Sequence, residues 1–205
     1  MPTYHWDIVQ GSPEWHAIKA GKWSASKAAV IMGGLDTSGL DNLIKDIAWE
    51  RVRGPLEGVG YKSAAMERGN ELEPEARDAY AFDRDVTVIE CGFVEHSIIP
   101  YVGYSPDGLL QKLKKGIEAK NPGHRAYMET LDKMVIPSQY RWQCRWAMWV
   151  GELDELDFIA YHPQQGAIVI PASVTDSEKQ QMAERVAMLE PRVSKYVELL
   201  QRKAA

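Results

Sequence analysis

Apolar positions recur along this chain in two rhythms. Leu40, Leu43, Ile44, Ile47 and Ala48 follow helical spacing, which predicts an amphipathic helix over 40–53, stopped by Gly54-Pro55. A short helix over 14–20 precedes it, ending at Gly21. Ser24 and Ser26 offer caps for a small apolar helix that ends at Gly33-Gly34. After a Gly-rich link at 56–61, a longer helix is expected from Ser63 to Phe82. The rhythm then shortens. Val86–Glu90, Phe93–His96, Tyr101–Tyr104, Gly108–Gln111 and Gly116–Ala119 read as short strands, punctuated by Gly and Pro. Helices return near 125–134 and 138–150, with Pro137 between them. Two strands, Leu156–Tyr161 and Ala167–Ile170, follow. Thr175 and Glu178 then form a capping-box pattern at the start of a long helix. Met182, Val186, Leu189, Val193 and Val197 lie along one side of that helix, which could pack on its own domain or on a neighbouring subunit. The order of elements predicts a mixed sheet flanked by helices, in the α/β or mixed α+β class.

Composition narrows the picture. The chain has 205 residues, 45% apolar and 26% charged, which fits one globular domain over 1–205. No stretch is apolar for long enough to span a bilayer. The opening MPTYHWDIVQ lacks the basic-then-apolar pattern of a secretory signal, so a cytoplasmic location is expected. Cys91 and Cys144 lie far apart and read as ordinary buried thiols. The net charge of −5 counts mildly against nucleic-acid binding. A cluster of metal-binding carboxylates would itself make the total more acidic, and the local potential in a groove matters more than the sum.

The candidate chemistry centres on Asp107, Glu118 and Lys120. Ser105-Pro106-Asp107-Gly108 is a turn signature at a strand end, and Glu118-Ala119-Lys120 lies on the following strand. Residues 118 and 120 share a face, so a carboxylate and an ammonium can sit side by side. The Ala119 side chain points away, but its carbonyl is a further oxygen ligand. Hard cations such as Mg²⁺ take oxygen ligands, commonly one or two carboxylates with waters and substrate oxygens. Taken alone, Pro-Asp-Gly is also a common surface turn and Glu-x-Lys a common solvent-facing pair. Trp142, Trp146 and Trp149, at helical spacing, read as core or interface. Arg141 and Arg145 read as a solvated or interface stripe with DNA contact as the alternative.

These motifs together resemble the PD-(D/E)xK nucleases, and within them the lambda exonuclease, or YqaJ-like viral recombinase, branch. The likeness runs from about residue 14 to residue 170. It rests on Glu14-Trp15-His16 with Ser24-Ala25-Ser26, on the block Gly69-Asn70-Glu71-Leu72-Glu73-Pro74-Glu75-Ala76-Arg77, on the two motifs above, and on Tyr140-Arg141-Trp142-Gln143 with Met148-Trp149. The resemblance implies a restriction-endonuclease-like core. It implies Asp107, Glu118, Ala119 and Glu73 as ligands of one or two Mg²⁺ ions, with Mn²⁺ as a substitute. Lys120 and Gln143 would complete the catalytic set. Glu71 and Glu75 turn away from the face of Glu73 by roughly 160° and are expected in solvent.

The resemblance also implies a 5′-phosphate site at Lys19, Ser26 and Ser105, and an apolar wedge at Met66. This chain has lysine where a relative has arginine, which keeps the charge but loses the bidentate fork. Lys19 also reads as an exposed helix lysine, Ser26 as a helix cap and Met66 as a core methionine. The implied activity is 5′→3′ digestion of one strand of linear duplex DNA to mononucleotides, leaving a 3′ tail for recombination by strand annealing. A ring-shaped homotrimer and a single-strand annealing protein would be its partners, in the host bacterial cytoplasm if phage- or prophage-encoded. The alternatives are a structure- or sequence-specific endonuclease on the same fold and a non-catalytic DNA-end-binding scaffold.

Overall fold

A computed structural model describes residues 1–56, 64–110 and 114–204; for 64–71 and 204 it describes the backbone alone. The helices are α1 (Pro13–Lys19), α2 (Ala28–Ile31), α3 (Ser38–Arg53), α4 (Ala64–Arg84), α5 (His124–Lys133), α6 (Ser138–Val150) and α7 (Asp176–Ala204). Local signals explain several of their ends. Ser12 Oγ accepts from Trp15 N at 3.2 Å to open α1, and Thr37 Oγ1 accepts from Leu40 N at 3.2 Å to open α3. The capping box forms in both directions, with Thr175 N donating to Glu178 Oε2 at 2.9 Å and Glu178 N to Thr175 Oγ1 at 3.2 Å. The caps expected of Ser24 and Ser26 do not form. That segment enters as a 3-10 turn, Ala25–Lys27, without a side-chain cap, and the two hydroxyls lie 3.2 Å from each other instead.

The strands are β1 (Thr3–His5), β2 (Trp23–Ser24), β3 (Val88–Ile89), β4 (Phe93–Glu95), β5 (Val102–Tyr104), β6 (Gly108–Leu110), β7 (Lys115–Lys120), β8 (Glu155–His162) and β9 (Gly166–Ala172). Among the described residues they form two mixed sheets, ordered β3-β6-β7-β8-β9 and β1-β4-β5-β2. In the first, β7 runs parallel to β8 with Glu118 opposite Phe158, and the other neighbours are antiparallel. In the second, β2 runs parallel to β5 with Ser24 opposite Gly103. Two short segments pass directly from one sheet to the other, Glu90-Cys91-Gly92 between β3 and β4 and Ser105-Pro106-Asp107 between β5 and β6. Gly108 closes the second link tightly. A side chain there would meet Val88 Cγ1 at 2.4 Å and Ile117 at 3.0 Å, so only glycine fits beside Asp107.

One core cluster joins α3, α6 and α7 to both sheets. Leu40, Ile44, Ile47 and Ala48 of α3 are buried, as are Met182, Val186, Leu189 and Val193 of α7, so the last helix packs on its own chain. Trp146 and Trp149 are buried with them, and Trp146 Nε1 donates to Gly103 O at 3.2 Å. Cys91 and Cys144 are free and buried. A second cluster, Ala76, Tyr80, Ile117, Ala119 and Ile159, seats α4 on the first sheet. β7 therefore faces two ways: Ile117 and Ala119 look toward α4, while Glu118 meets α6. Among the described residues, no helix is long and apolar enough to cross a membrane.

Candidate active site

The alternation of β7 sends Glu118 inward, where its side chain is only 1% exposed. Its Oε1 accepts from Gln143 Nε2 of α6 at 2.5 Å and from the Lys120 ammonium. Lys120 Nζ also donates to the Ala119 carbonyl at 3.1 Å and lies 3.8 Å from Asp107 Oδ2 and 5.6 Å from the centre of the Tyr140 ring. Asp107 Oδ2 accepts from Ala119 N at 2.8 Å, which locks the loop to β7. Glu73 approaches from α4, with Oε1 accepting from Arg77 Nη1 at 2.8 Å. The same Nη1 donates to the Asp107 carbonyl at 3.3 Å, so one guanidinium spans Glu73 and the Asp107 loop. Glu75 is exposed, as expected, and accepts from Tyr161 OH at 3.3 Å; the Glu71 side chain lies outside what is described.

The charges in this cluster do not balance locally. One ammonium serves Asp107 and Glu118, and Glu73 adds a third carboxylate whose own cation, Arg77, is shared with Glu90. Burial, and then the charge of Asp107, push the Glu118 carboxyl up to about 8 and the Glu73 carboxyl up to about 7. Lys120 is held firmly protonated, because two carboxylates outweigh the burial of its ammonium. These shifts are compatible: the same ammonium gains from both carboxylates, yet cannot offset the burial of Glu118 and the repulsion from Asp107.

The residual negative charge suits a further cation. The donor set is two carboxylates and the Ala119 carbonyl, with Glu73 nearby, and all of its donors are hard oxygens. Among the described residues, no group of three or more His, Cys, Asp and Glu is gathered so that it could hold a metal ion by itself.

A pH dependence follows from these carboxyls. Both folded values lie above the ordinary 4.5, so the folded protein keeps protons that the unfolded chain has already released. Without metal, stability is expected to be highest below that value and to fall as pH rises through about 7 to 8. A divalent cation favours the deprotonated carboxylates and replaces those protons. The rise in melting temperature on adding Mg²⁺ is therefore expected to be larger at pH 8.5 than at pH 5.5. Thermal unfolding with chelator and with Mg²⁺ at both pH values checks this, and a rise independent of pH would count against it.

Two of the three residues of the second candidate site share a neighbour, and the third leaves the sheet at the same end. Trp15 connects two of them: its Nε1 donates to Ser105 Oγ at 2.9 Å, and Lys19 Nζ sits 4.2 Å from the centre of its ring. Strand register brings the third. With Ser24 opposite Gly103 in a parallel pair, Ser26 and Ser105 each lie two residues further on and leave the same end of the sheet. Burial, with the charge of neighbouring Lys27, lowers the affinity of Lys19 for its proton. Among the described residues neither lysine forms a salt bridge with a carboxylate, although the charge of Glu50 also acts on Lys19. Ser105 and Asp107 are two residues apart, at most about 7 Å along the chain. Met66 lies on α4, but its side chain is outside the described residues.

Motif reading missed several supporting groups. Arg77 stands one turn beyond Glu73, an i, i+4 spacing that suits an ion pair, but nothing in the sequence says that it also reaches the Asp107 carbonyl. Gln10 donates to Pro106 O at 2.7 Å and Cys91 O at 3.0 Å, fixing the loop from the other side. Its role depends on a contact 96 residues away in sequence, which no local pattern reveals. Arg145 pairs with Glu178 at 3.1 Å and stacks over Trp142, so it belongs to the α6–α7 packing.

Comparison with known proteins bears on the family and the fold. A family model described as the YqaJ-like viral recombinase domain matches residues 14–154. The alkaline exonuclease LHK-Exo of Laribacter hongkongensis superposes with a TM-score of 0.85 at 28% identity, covering 94% of this chain and 98% of that one; it has also been solved in complex with dAMP. A phage-related exonuclease from Haemophilus somnus shares the fold, with a TM-score of 0.64 at 16% identity over 90% of this chain and 96% of that one. An uncharacterized protein of Acanthamoeba polyphaga mimivirus is 29% identical over 106 residues, which is 46% of this chain and only 19% of that longer protein.

Proposed function

Because the chain belongs to the YqaJ-like viral recombinase family, we propose that it is a metal-dependent exonuclease that digests one strand of linear duplex DNA 5′→3′. The products are mononucleotides and a 3′ single-stranded tail suited to recombination by strand annealing. The observation that carries this reading is the Ser105-Pro106-Asp107 link. One end of it is bonded to Trp15 beside Lys19, and the other is bonded to Ala119 N and lies 3.8 Å from Lys120, whose ammonium also meets Glu118. An end-recognition pocket and a hydrolytic centre are thus one short loop apart, and an exonuclease uses such an arrangement to count from an end. The names of the two solved exonucleases, and the nucleoside monophosphate bound to one of them, support the same reading.

In this mechanism Asp107, Glu118, the Ala119 carbonyl and Glu73 would hold Mg²⁺, one ion or two, with Mn²⁺ able to replace it. A bound ion would supply a more acidic water and neutralise charge on the scissile phosphate. Gln143 fixes the Glu118 carboxylate through its amide N–H. The Lys120 ammonium lies next to both carboxylates, where it orients the attacking water and offsets charge that develops on phosphate oxygens. Arg77 keeps Glu73 and the Asp107 loop in register. Lys19, Ser26 and Ser105 receive the terminal phosphate through charge and hydroxyl donors. Met66 serves as the wedge at the duplex end. Residues 1–205 act as one domain, assembled as a ring-shaped homotrimer around the product strand and working in the cytoplasm with a single-strand annealing protein.

The end-recognition part has a direct test. Duplexes with a 5′-phosphate are expected to be initiated at least about tenfold faster than those with a 5′-hydroxyl, the loss of one charge-assisted contact. Lys19→Ala is expected to remove most of that difference. Equal initial rates on both ends in the unaltered protein, unchanged by the substitution, would remove the phosphate pocket. A closed circular duplex, expected to stay intact, separates this enzyme from an endonuclease on the same fold.

A further inference from the structure

A cleft of about 500 Å³ opens beside the catalytic carboxylates, lined among others by Glu73, Arg77, Pro106, Trp15, His16 and Trp6. That volume is in the range of small-ligand pockets. Of the catalytic set Glu73 lines it, with Arg77 and with Pro106, the residue before Asp107. The lining also includes aromatic residues, and they are not equivalent. Trp15 is already engaged: its N–H is given to Ser105, one face carries Lys19, and the His16 ring meets it edge-on. Trp6 is different. It follows the edge strand β1 and is 42% exposed. Its ring lies nearly parallel to that of Tyr4, with centroids 5.3 Å apart and planes 7° from each other. Tyr4 in turn is anchored, its OH donating to Gly151 O at 3.0 Å. Trp6 is thus a flat ring backed on one side by a fixed neighbour and bordering the cleft.

Two polar side chains that line the cleft are engaged by protein oxygens. Gln10 donates to Cys91 O and Pro106 O, and Arg77 to Glu73, Glu90 and Asp107 O. They are poorly placed to read the hydrogen-bonding edge of a base. A π face needs no such reading, because every base stacks. An enzyme that removes nucleotides of any identity requires that tolerance.

We infer that Trp6 is the stacking platform for the nucleobase of the 5′-terminal nucleotide, the residue that leaves as a monophosphate. The inference rests on the exonuclease reading for the identity of its ligand. It adds a residue that contacts the base, whereas Lys19, Ser26 and Ser105 contact the phosphate.

The test uses the full chain and two probes, dAMP and 2-deoxyribose 5-phosphate, titrated by calorimetry. The unaltered protein is expected to bind dAMP at least about tenfold more tightly than the base-free probe, the size of one stacking contact. Trp6→Ala is expected to bring dAMP down to the level of the sugar phosphate, and Trp6→Phe to recover most of the difference while keeping a ring against Tyr4. As a second readout, a duplex whose 5′-terminal residue is abasic is expected to be digested more slowly than normal duplex by the unaltered protein, and equally slowly by Trp6→Ala. An unchanged preference for dAMP in Trp6→Ala, with its melting temperature intact, overturns the inference. So does equal binding of the two probes by the unaltered protein. Because the binding arm needs no turnover, it fails or succeeds separately from the exonuclease reading, which fails if no nucleotide is released.

Discussion

Asp107→Asn is expected to lower metal-dependent DNA digestion by more than about a thousandfold while the protein stays folded. Loss of a charged ligand withdraws several kcal/mol of stabilisation from the reacting phosphate, and each 1.36 kcal/mol is a factor of ten in rate. The fold is protected because an asparagine carboxamide oxygen can still accept from Ala119 N, the bond that ties the loop to β7. The amide carries no charge, so the rise in melting temperature caused by Mg²⁺ is expected to shrink as well. Release of nucleotides from labelled duplex and thermal unfolding with Mg²⁺ measure the two effects. Activity near that of the unaltered protein would remove Asp107 from the catalytic set.

Lys120→Met is expected to give the opposite result for metal binding. The ammonium contacts Glu118, bonds the Ala119 carbonyl at 3.1 Å and lies 3.8 Å from Asp107. Without it, Glu118, 1% exposed, loses its cation, and breaking such a pair typically costs about 3 kcal/mol. At pH 8.5 the metal-free variant is therefore expected to be less stable than the unaltered protein. Removing a positive charge beside the carboxylates also makes a divalent cation more welcome, so Mg²⁺ is expected to raise its melting temperature by more than in the unaltered protein. Activity is still expected to fall at least about a hundredfold, because the group that offsets developing charge is gone. A weakened response to Mg²⁺, like that of Asp107→Asn, would show that Lys120 supports metal binding instead of the chemistry.

The helices were largely legible because their signals are local. The period over 40–53 gives α3, and Thr175 with Glu178 gives the start of α7. The division of the strands into two sheets was not legible. It depends on pairings such as β1 with β4, in which Thr3 lies opposite Glu95, and on the very short β2, which has too few residues to show alternation. Asp107, Glu118 and Lys120 could be singled out because the strand period and one turn bring them near each other. Glu73 and Gln143 came only from the family likeness, since a polar residue in a helix is ordinarily a surface residue. Trp15, Gln10 and Arg77 act through partners distant in the chain. Their importance emerges only when β5, β6 and α4 are brought together around the Ser105-Pro106-Asp107 link.

That link makes polarity the decisive property. If the chain recognises a 5′-phosphate at Ser105 and cuts at Asp107, digestion must begin at the 5′ end of each strand. The most direct measurement is a time course on linear duplex DNA, 5′-phosphorylated and labelled at the 3′ ends, with Mg²⁺ present. The account predicts that unlabelled mononucleotides appear first while the label stays in lengthening single-stranded tails, and that chelator stops both. Early release of the label as mononucleotide, or digestion that continues in chelator, would contradict it.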